Sequence, residues 1–378
     1  MSGLRRALWA ELAHLARDRF DLALLTLLPL LCLVVMGGML SAGSPTGLGV
    51  RIVDQDHSAA SRGVIRAIEA SDAVRVIGVG SDLAEAFAAV RQERAVAVVV
   101  LPSGLGDGRA RAVPRAVEIF YQTAFLSTGV LASTRLQLAV AAELAAQATA
   151  QAGLGGVRLL RAPLPGVQVT LLGNPGASLE WYLGLLIGPA VLHLLIAVTT
   201  AASLGRELED GSLAAWARRV GNPAAALVGR FLPHVALGML WLCLWLLWLT
   251  LAQGYRFDGA ITLVAVGGAL LFVGTAAVSA LLIALTGEIA TSLSASVIYA
   301  GSALAYSGAS LPLTGGILFA RVWSSVLPLT HFVALEMDQA IGVTLATWAQ
   351  QAAVLALVPL LAGGVALLVI RRQARRAA

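Results

Sequence analysis

The stretch WYLGLLIGPAVLHLLIAVTTAASLGRELEDGS, Trp181 to Ser212, sets a long apolar run against an abrupt knot of charge. A run of about 20 residues, at about 1.5 Å rise per residue, covers a hydrocarbon core of roughly 30 Å. The knot, Gly205-Arg206-Glu207-Leu208-Glu209-Asp210-Gly211-Ser212, must then sit in water. It marks one side of a bilayer, and it offers charge to any soluble partner on that side.

Five more runs have the same character. With Trp181–Ser203 they make six expected spans: Leu22–Leu40, Leu232–Leu251, Ala260–Thr286, Ile289–Ser307 and Ala349–Ile370 complete the set. The composition agrees, at 58% hydrophobic and 12% charged residues with a mean hydropathy of +0.83, against roughly 25% charged in an ordinary globular chain. The fold class expected is an α-helical polytopic membrane protein.

All 26 basic residues are arginine. A standard P-loop needs a lysine on the nucleotide phosphates, so any ATP and Mg chemistry belongs to a partner chain, and no cofactor or metal is expected on this one. Cys32 and Cys243 lie within apolar runs and read as small apolar residues rather than ligands. The net charge of +5 is not a nucleic-acid signature, because it reflects arginines beside spans.

Arginine placement orients the chain. Arg5, Arg6, Arg17 and Arg19 precede the first span, Arg206, Arg218, Arg219 and Arg230 surround the knot, and Arg371, Arg372, Arg375 and Arg376 form the tail. The connections assigned to the other side hold Arg256 and Arg321. The positive-inside rule places the knot and both termini in the cytoplasm of a bacterial inner-membrane protein. Residues 1–20 read as an interfacial helix with a stripe of Leu4, Leu8, Leu12 and Leu15, leading into an uncleaved first span at 21–40.

Residues 41–178 form the expected extracytoplasmic insert. GVRIVDQD, AVRVIGVG, VAVVVLP and AVEIFYQ read as strands, SAASRGVIRAIEAS and DLAEAFAAVRQERA as helices, an α/β alternation. An alanine-rich helix from Phe125 to Ala152 and an extended piece, GVQVTLLGNPG, follow. Asp54, Asp56 and His57 admit two readings, a metal site or a helix start capped by Ser58.

The knot continues through Leu213, Trp216, Arg218, Arg219, Gly221, Asn222 and Pro223. This segment, 205–224, resembles the cytoplasmic coupling segment of ABC type-2 exporter permeases. YSGASLPL, Tyr306–Leu313, and LPLTHF, Leu327–Phe332, resemble that family's Ser-Gly…Pro and Leu-Pro-x-Thr blocks. Many relatives carry threonine where Ser212 stands and an aromatic residue where Ala309 or Ser310 stands.

The resemblance implies a permease subunit of an ATP-driven exporter of drugs, lipids or similar amphipathic cargo. Arg206, Glu207, Glu209, Asp210, Gly211, Ser212, Leu213, Trp216, Arg218 and Arg219 would dock an ABC ATPase subunit. A re-entrant segment at 309–345 would follow, with Ser307, Gly308, Pro312 and Pro328 at its gate. Further partners implied are a second copy or related permease, and a periplasmic adaptor with an outer-membrane channel. The competing function is a membrane-anchored sensor or assembly factor that does not transport.

Residues with less settled roles are these. The small-residue face Ser292, Ser296, Tyr299 and Ala303 reads either as packing or as a pathway or dimer face. His193 reads as a helix–helix hydrogen-bond partner, and Trp241, Trp245 and Trp248 as packing or lipid-facing groups. Glu288 belongs to a short hydrated turn. Glu336 and Asp338 are expected near the outer interface.

Overall fold

The computed structural model describes residues 3–41, 46–105, 116–121, 126–154, 178–209, 211–309 and 316–376. The chain divides into two compact units, one made of Met1–Gly43 with Thr170–Ala378 and the other of Ser44–Val169. GVQVTLLGNPG, Asp210 and Pro312 lie outside the described residues.

In the first unit, α1 (Gly3–Arg17) precedes α2 (Arg19–Leu25) and α3 (Leu27–Leu40). Asp18 caps α2 by accepting from the backbone N–H groups of Phe20 at 2.9 Å and Asp21 at 3.1 Å. The remaining helices are α7 (Leu179–Glu209), α8 (Leu213–Val220), α9 (Pro223–Leu247, prolonged by a π-helical turn at Trp248–Ala252), α10 (Ile261–Thr286), α11 (Ile289–Ala303), α12 (Leu318–Val326), α13 (Pro328–Ala340) and α14 (Leu345–Arg376).

Five spans meet the length and apolarity of a membrane crossing: Arg19–Leu40, Leu179–Glu209, Pro223–Ala252, Ile261–Thr286 and Leu345–Arg376. The pair α12 and α13, bent by 80°, would count as a sixth, as a broken span or a re-entrant loop. The expected span Ile289–Ser307 is shorter in the structure, its helix ending at Ala303. Its helix α11 has 15 residues, about 22 Å at 1.5 Å per residue, and the chain turns after Ala303 toward Gly308, whose φ is +81°.

The spans lock through three indole N–H groups. Trp241 Nε1 donates to the carbonyl of Leu25 at 2.9 Å, Trp245 Nε1 to that of Gly184 at 2.8 Å, and Trp348 Nε1 to that of Leu263 at 3.2 Å. Trp245 and Trp248 stack with centroids 4.8 Å apart, so Trp245 is a packing group with a satisfied donor. His193, fully buried, reaches Thr275 Oγ1 with Nδ1 at 2.7 Å and joins α7 to α10, the helix–helix role its sequence position indicates.

The second unit holds a four-stranded sheet in the order β2-β1-β3-β4, from β1 (Leu48–Asp54), β2 (Val74–Gly80), β3 (Ala97–Leu101) and β4 (Glu118–Tyr121). β1 pairs in parallel with β2 and with β3, in register Ile52 to Val99, and β4 runs antiparallel to β3. β3, AVVVL, is buried at every position, as a strand covered on both faces requires. On one face α4 (Ala59–Glu69) and α6 (Leu126–Leu154) close a core of Val50, Ile52, Val64, Ile68, Val99, Leu101 and Leu136. α5 (Leu83–Arg91) covers the other face over Val53, Val98 and Val100.

The Asp54–Ser58 segment is a helix start. Ser58 Oγ accepts from the N–H groups of Ala60 and Ser61 at 3.0 and 3.2 Å. Asp54 accepts from the N–H groups of Asp56 and His57 at 3.0 Å and from Ser61 Oγ at 2.9 Å. Asp56 accepts from the N–H groups of Gly104 and Leu105. These oxygens serve turns rather than a metal.

Candidate functional site

The charged knot ends α7 and opens α8, and each boundary has a local cause. Ser212 caps α8 by accepting from the N–H of Ala215 at 3.2 Å. Gly221, at φ +69°, stops it in a conformation that a Cβ disfavours. Asn222 caps α9 by accepting from the N–H of Ala225 at 3.2 Å, and Pro223 occupies its first turn.

α8 is amphipathic, and its apolar side is already covered. Leu213 and Trp216 are 2% and 5% exposed, packed with Leu204, Phe231, Ile283 and Ile370 at the ends of α7, α9, α10 and α14. This corrects their assignment as an apolar anchor for a partner: their surface is spent inside the chain. Glu209, Gly211, Ser212, Arg218 and Arg219 remain exposed.

Arg206 and Glu207 are also engaged internally. Arg206 donates to Asp21 at 2.7 Å and to both oxygens of Glu11 at 2.7 and 2.8 Å. Glu207 accepts from Arg219 at 2.9 Å and from Arg230 at 2.5 Å. The expectation that Glu207 pairs with a partner's arginine is corrected accordingly.

Glu11 is the hub of this network and was not legible as a site residue. It is 1% exposed, and it takes Ser203 Oγ at 2.8 Å, His234 Nε2 at 3.1 Å and Arg230 Nε at 3.5 Å besides Arg206. Burial pushes its pKa up, but hydrogen bonds from His234 and Arg206, with their charge, outweigh this and hold it at about 2. Backbone N–H groups of Asp21 and Phe20 hold the Asp18 carboxyl below its usual value, against a smaller opposing effect of burial.

The network fixes α1 against α9. At their crossing a Cβ on Gly229 would collide with the backbone carbonyl of Leu4, so only glycine permits the approach. The face α1 buries is therefore not the expected leucine stripe: Leu15 is buried beside Glu11, while Leu12 is 39% exposed. Among the described residues His14, Asp18 and Asp21 also bring potential ligand atoms within 4.8 Å of one another. Asp21 Oδ2 already takes His14 Nε2 at 2.8 Å and Arg206 Nη1 at 2.7 Å, so Arg206 supplies the charge that an ion would bring.

The small-residue face of α11 turns inward. Ser292, Ser296, Tyr299 and Ala303 are all buried, in a helix that packs against α7 and α10. This removes them as a dimer face. The exposed side of α11 carries Ser294, Val297, Ile298 and Gly301. Ser307 is buried and donates to the carbonyl of Leu304 at 2.8 Å, Gly308 is exposed, and Pro328 opens α13 after the bend. Glu288 is exposed in the turn between α10 and α11.

Glu336 is enclosed by the protein rather than exposed to solvent. It sits on α13 with 0% exposure, and both its carboxyl oxygens lack a hydrogen-bond partner among the described residues.

Five apolar helices of spanning length, a capped amphipathic helix between the second and third of them, and a bent pair before the last define a multi-pass membrane protein. The chain matches the family model of the ABC-2 family transporter proteins over residues 19–369, and it belongs to that family. No curated protein matches it.

Proposed function

We propose that the chain is the permease subunit of an ATP-driven exporter, docking a separate ATPase through the outer surface of α8 and moving amphipathic or hydrophobic cargo outward. Membership of the ABC-2 family supports the permease role, and the chain's lack of lysine assigns the P-loop to another subunit. The observation that carries the docking surface is the asymmetry of α8. Its apolar side is sealed onto the inner ends of α7, α9, α10 and α14, while Glu209, Arg218 and Arg219 remain outside. A partner gripping that side engages four spans at once.

In this reading both termini and α8 are cytoplasmic, and the 44–169 unit lies outside the bacterial inner membrane, where it offers a surface to a periplasmic adaptor. Two permeases form the pathway. α12 and α13 form a re-entrant hairpin at its outer end, with Ser307, Gly308 and Pro328 at the entrance.

The test leaves the ion pairs of Arg206 and Glu207 in place. Glu209→Arg combined with Arg218→Glu is expected to abolish co-purification of the ATPase subunit while leaving thermal unfolding of the permease close to wild type. Undiminished co-purification and ATPase stimulation in that variant would reject α8 as the docking surface. A wild-type chain that purifies with no ATPase subunit would instead support a sensor or assembly role.

A further inference from the structure

Three other buried carboxylates of the described chain are met by donors. Glu11 has Arg206, Arg230, His234 and Ser203. Asp54 has two backbone N–H groups and Ser61. Glu180 accepts from Gln253 and from Tyr255, the latter at 2.7 Å.

Glu336 breaks this pattern, being fully buried with neither oxygen partnered among the described residues. One turn further along α13, Gln339 spends its Oε1 on the N–H of Ala260 at 3.0 Å. Its Nε2 is buried and likewise unpartnered. The same helix packs Phe332 and Leu335 over Gly267 of α10, so the surroundings are apolar.

A polar group buried without a partner is strongly unfavourable, and an ionisable side chain inside a membrane bundle marks a binding site or pathway by default. An unmet acceptor and an unmet donor one turn apart, set among apolar side chains, have the polarity of a ligand contact. Calcium or magnesium does not suit them, because each requires about six or more oxygen ligands and Gln339 presents an N–H donor.

We propose that Glu336 and Gln339 recognise the head of a positively charged amphiphile. A protonated amine donates to the Glu336 carboxylate, an acceptor atom beside the amine takes Gln339 Nε2, and the apolar body lies along α13. This assignment rests on the exporter reading and narrows its cargo to amphipathic cations. Entry requires α13 to shift, and the 80° break between α12 and α13 at Leu327–Pro328 supplies the joint.

The test uses the full-length permease in lipid nanodiscs without nucleotide, with radiolabelled n-dodecylamine and n-dodecanol as probes and empty discs as background. Wild type is expected to bind the amine at least about tenfold more tightly than the alcohol, and Glu336→Gln to lose that preference while alcohol binding stays unchanged. Equal wild-type affinity for the two probes overturns the assignment, as does parallel weakening of both in Glu336→Gln. The wild-type comparison decides alone if the variant fails to fold. Because binding is read without turnover, failure to find an ATPase partner would reject the exporter reading while leaving this result independent.

Discussion

Glu11 and Glu336 are equally hidden and opposite in circumstance. Glu11, on the N-terminal helix, is surrounded by two arginines, a histidine and a serine from other helices. Glu336, beyond the bend before the last span, has no hydrogen-bond partner among the described residues. A carboxylate enclosed by cations is a structural clamp, because removing it strands the charges around it. A carboxyl group with no partner contributes no such clamp, and its unmet acceptors suit a group from outside the chain.

The largest effect that separates the two sites is Glu11→Ala. Arg206, Arg230 and His234 would lose a shared acceptor, and the expected loss is about 3–5 kcal/mol, read as a lowered unfolding temperature or failure to purify. A stable, well-expressed variant would show that the network is ornamental and would erase the contrast.

Acid probes the same clamp without mutation. With the Glu11 pKa at about 2 when folded against 4.5 otherwise, its stabilising contribution is fully present above pH 4.5. It declines as pH falls toward 2, for a total of about 3 kcal/mol. Thermal unfolding followed between those values should lose this contribution in wild type and not in Glu11→Gln.

Ser212→Ala should remove the cap of α8 and cost about 1 kcal/mol, measurable as a modest drop in unfolding temperature with an intact fold. At the other end of the scale, Glu336→Gln should leave stability unchanged or raised, since it removes a buried carboxyl group that has no partner to lose. A destabilisation as large as that of Glu11→Ala would make Glu336 a second clamp and collapse the distinction.

Much of the fold was legible because its signals are local. The Ser212 cap, the Gly221 stop and the Asn222-Pro223 restart are neighbours in sequence and dictate α8 by short-range rules. The same holds for the strands of the 44–169 unit, where β-branched runs alternate with capped helices. Glu11 was not legible because its partners stand 192 to 223 positions away, and no spacing rule connects them. In isolation it resembled one more acid beside a leucine stripe.

The residues proposed for docking divide along the same line. The sequence places Arg206, Glu207, Leu213 and Trp216 in one charged segment between spans, but only tertiary packing shows that these four turn inward while Glu209 and Arg218 remain outside. For α11, composition announced a small-residue helix and left its facing open. Its burial pattern, Ser292, Ser296, Tyr299, Ala300 and Ala303, selects the inward side.

The sealing of α8 has a mechanical consequence. A loosely tethered segment would absorb a partner's movement as slack. Here Trp216 is wedged among span ends, and Glu207 ties Arg219 of α8 to Arg230 of α9, which in turn reaches Glu11 of α1. Push or pull on α8 therefore travels as through a stiff linkage, and the N-terminal helix moves with the load instead of floating beside it.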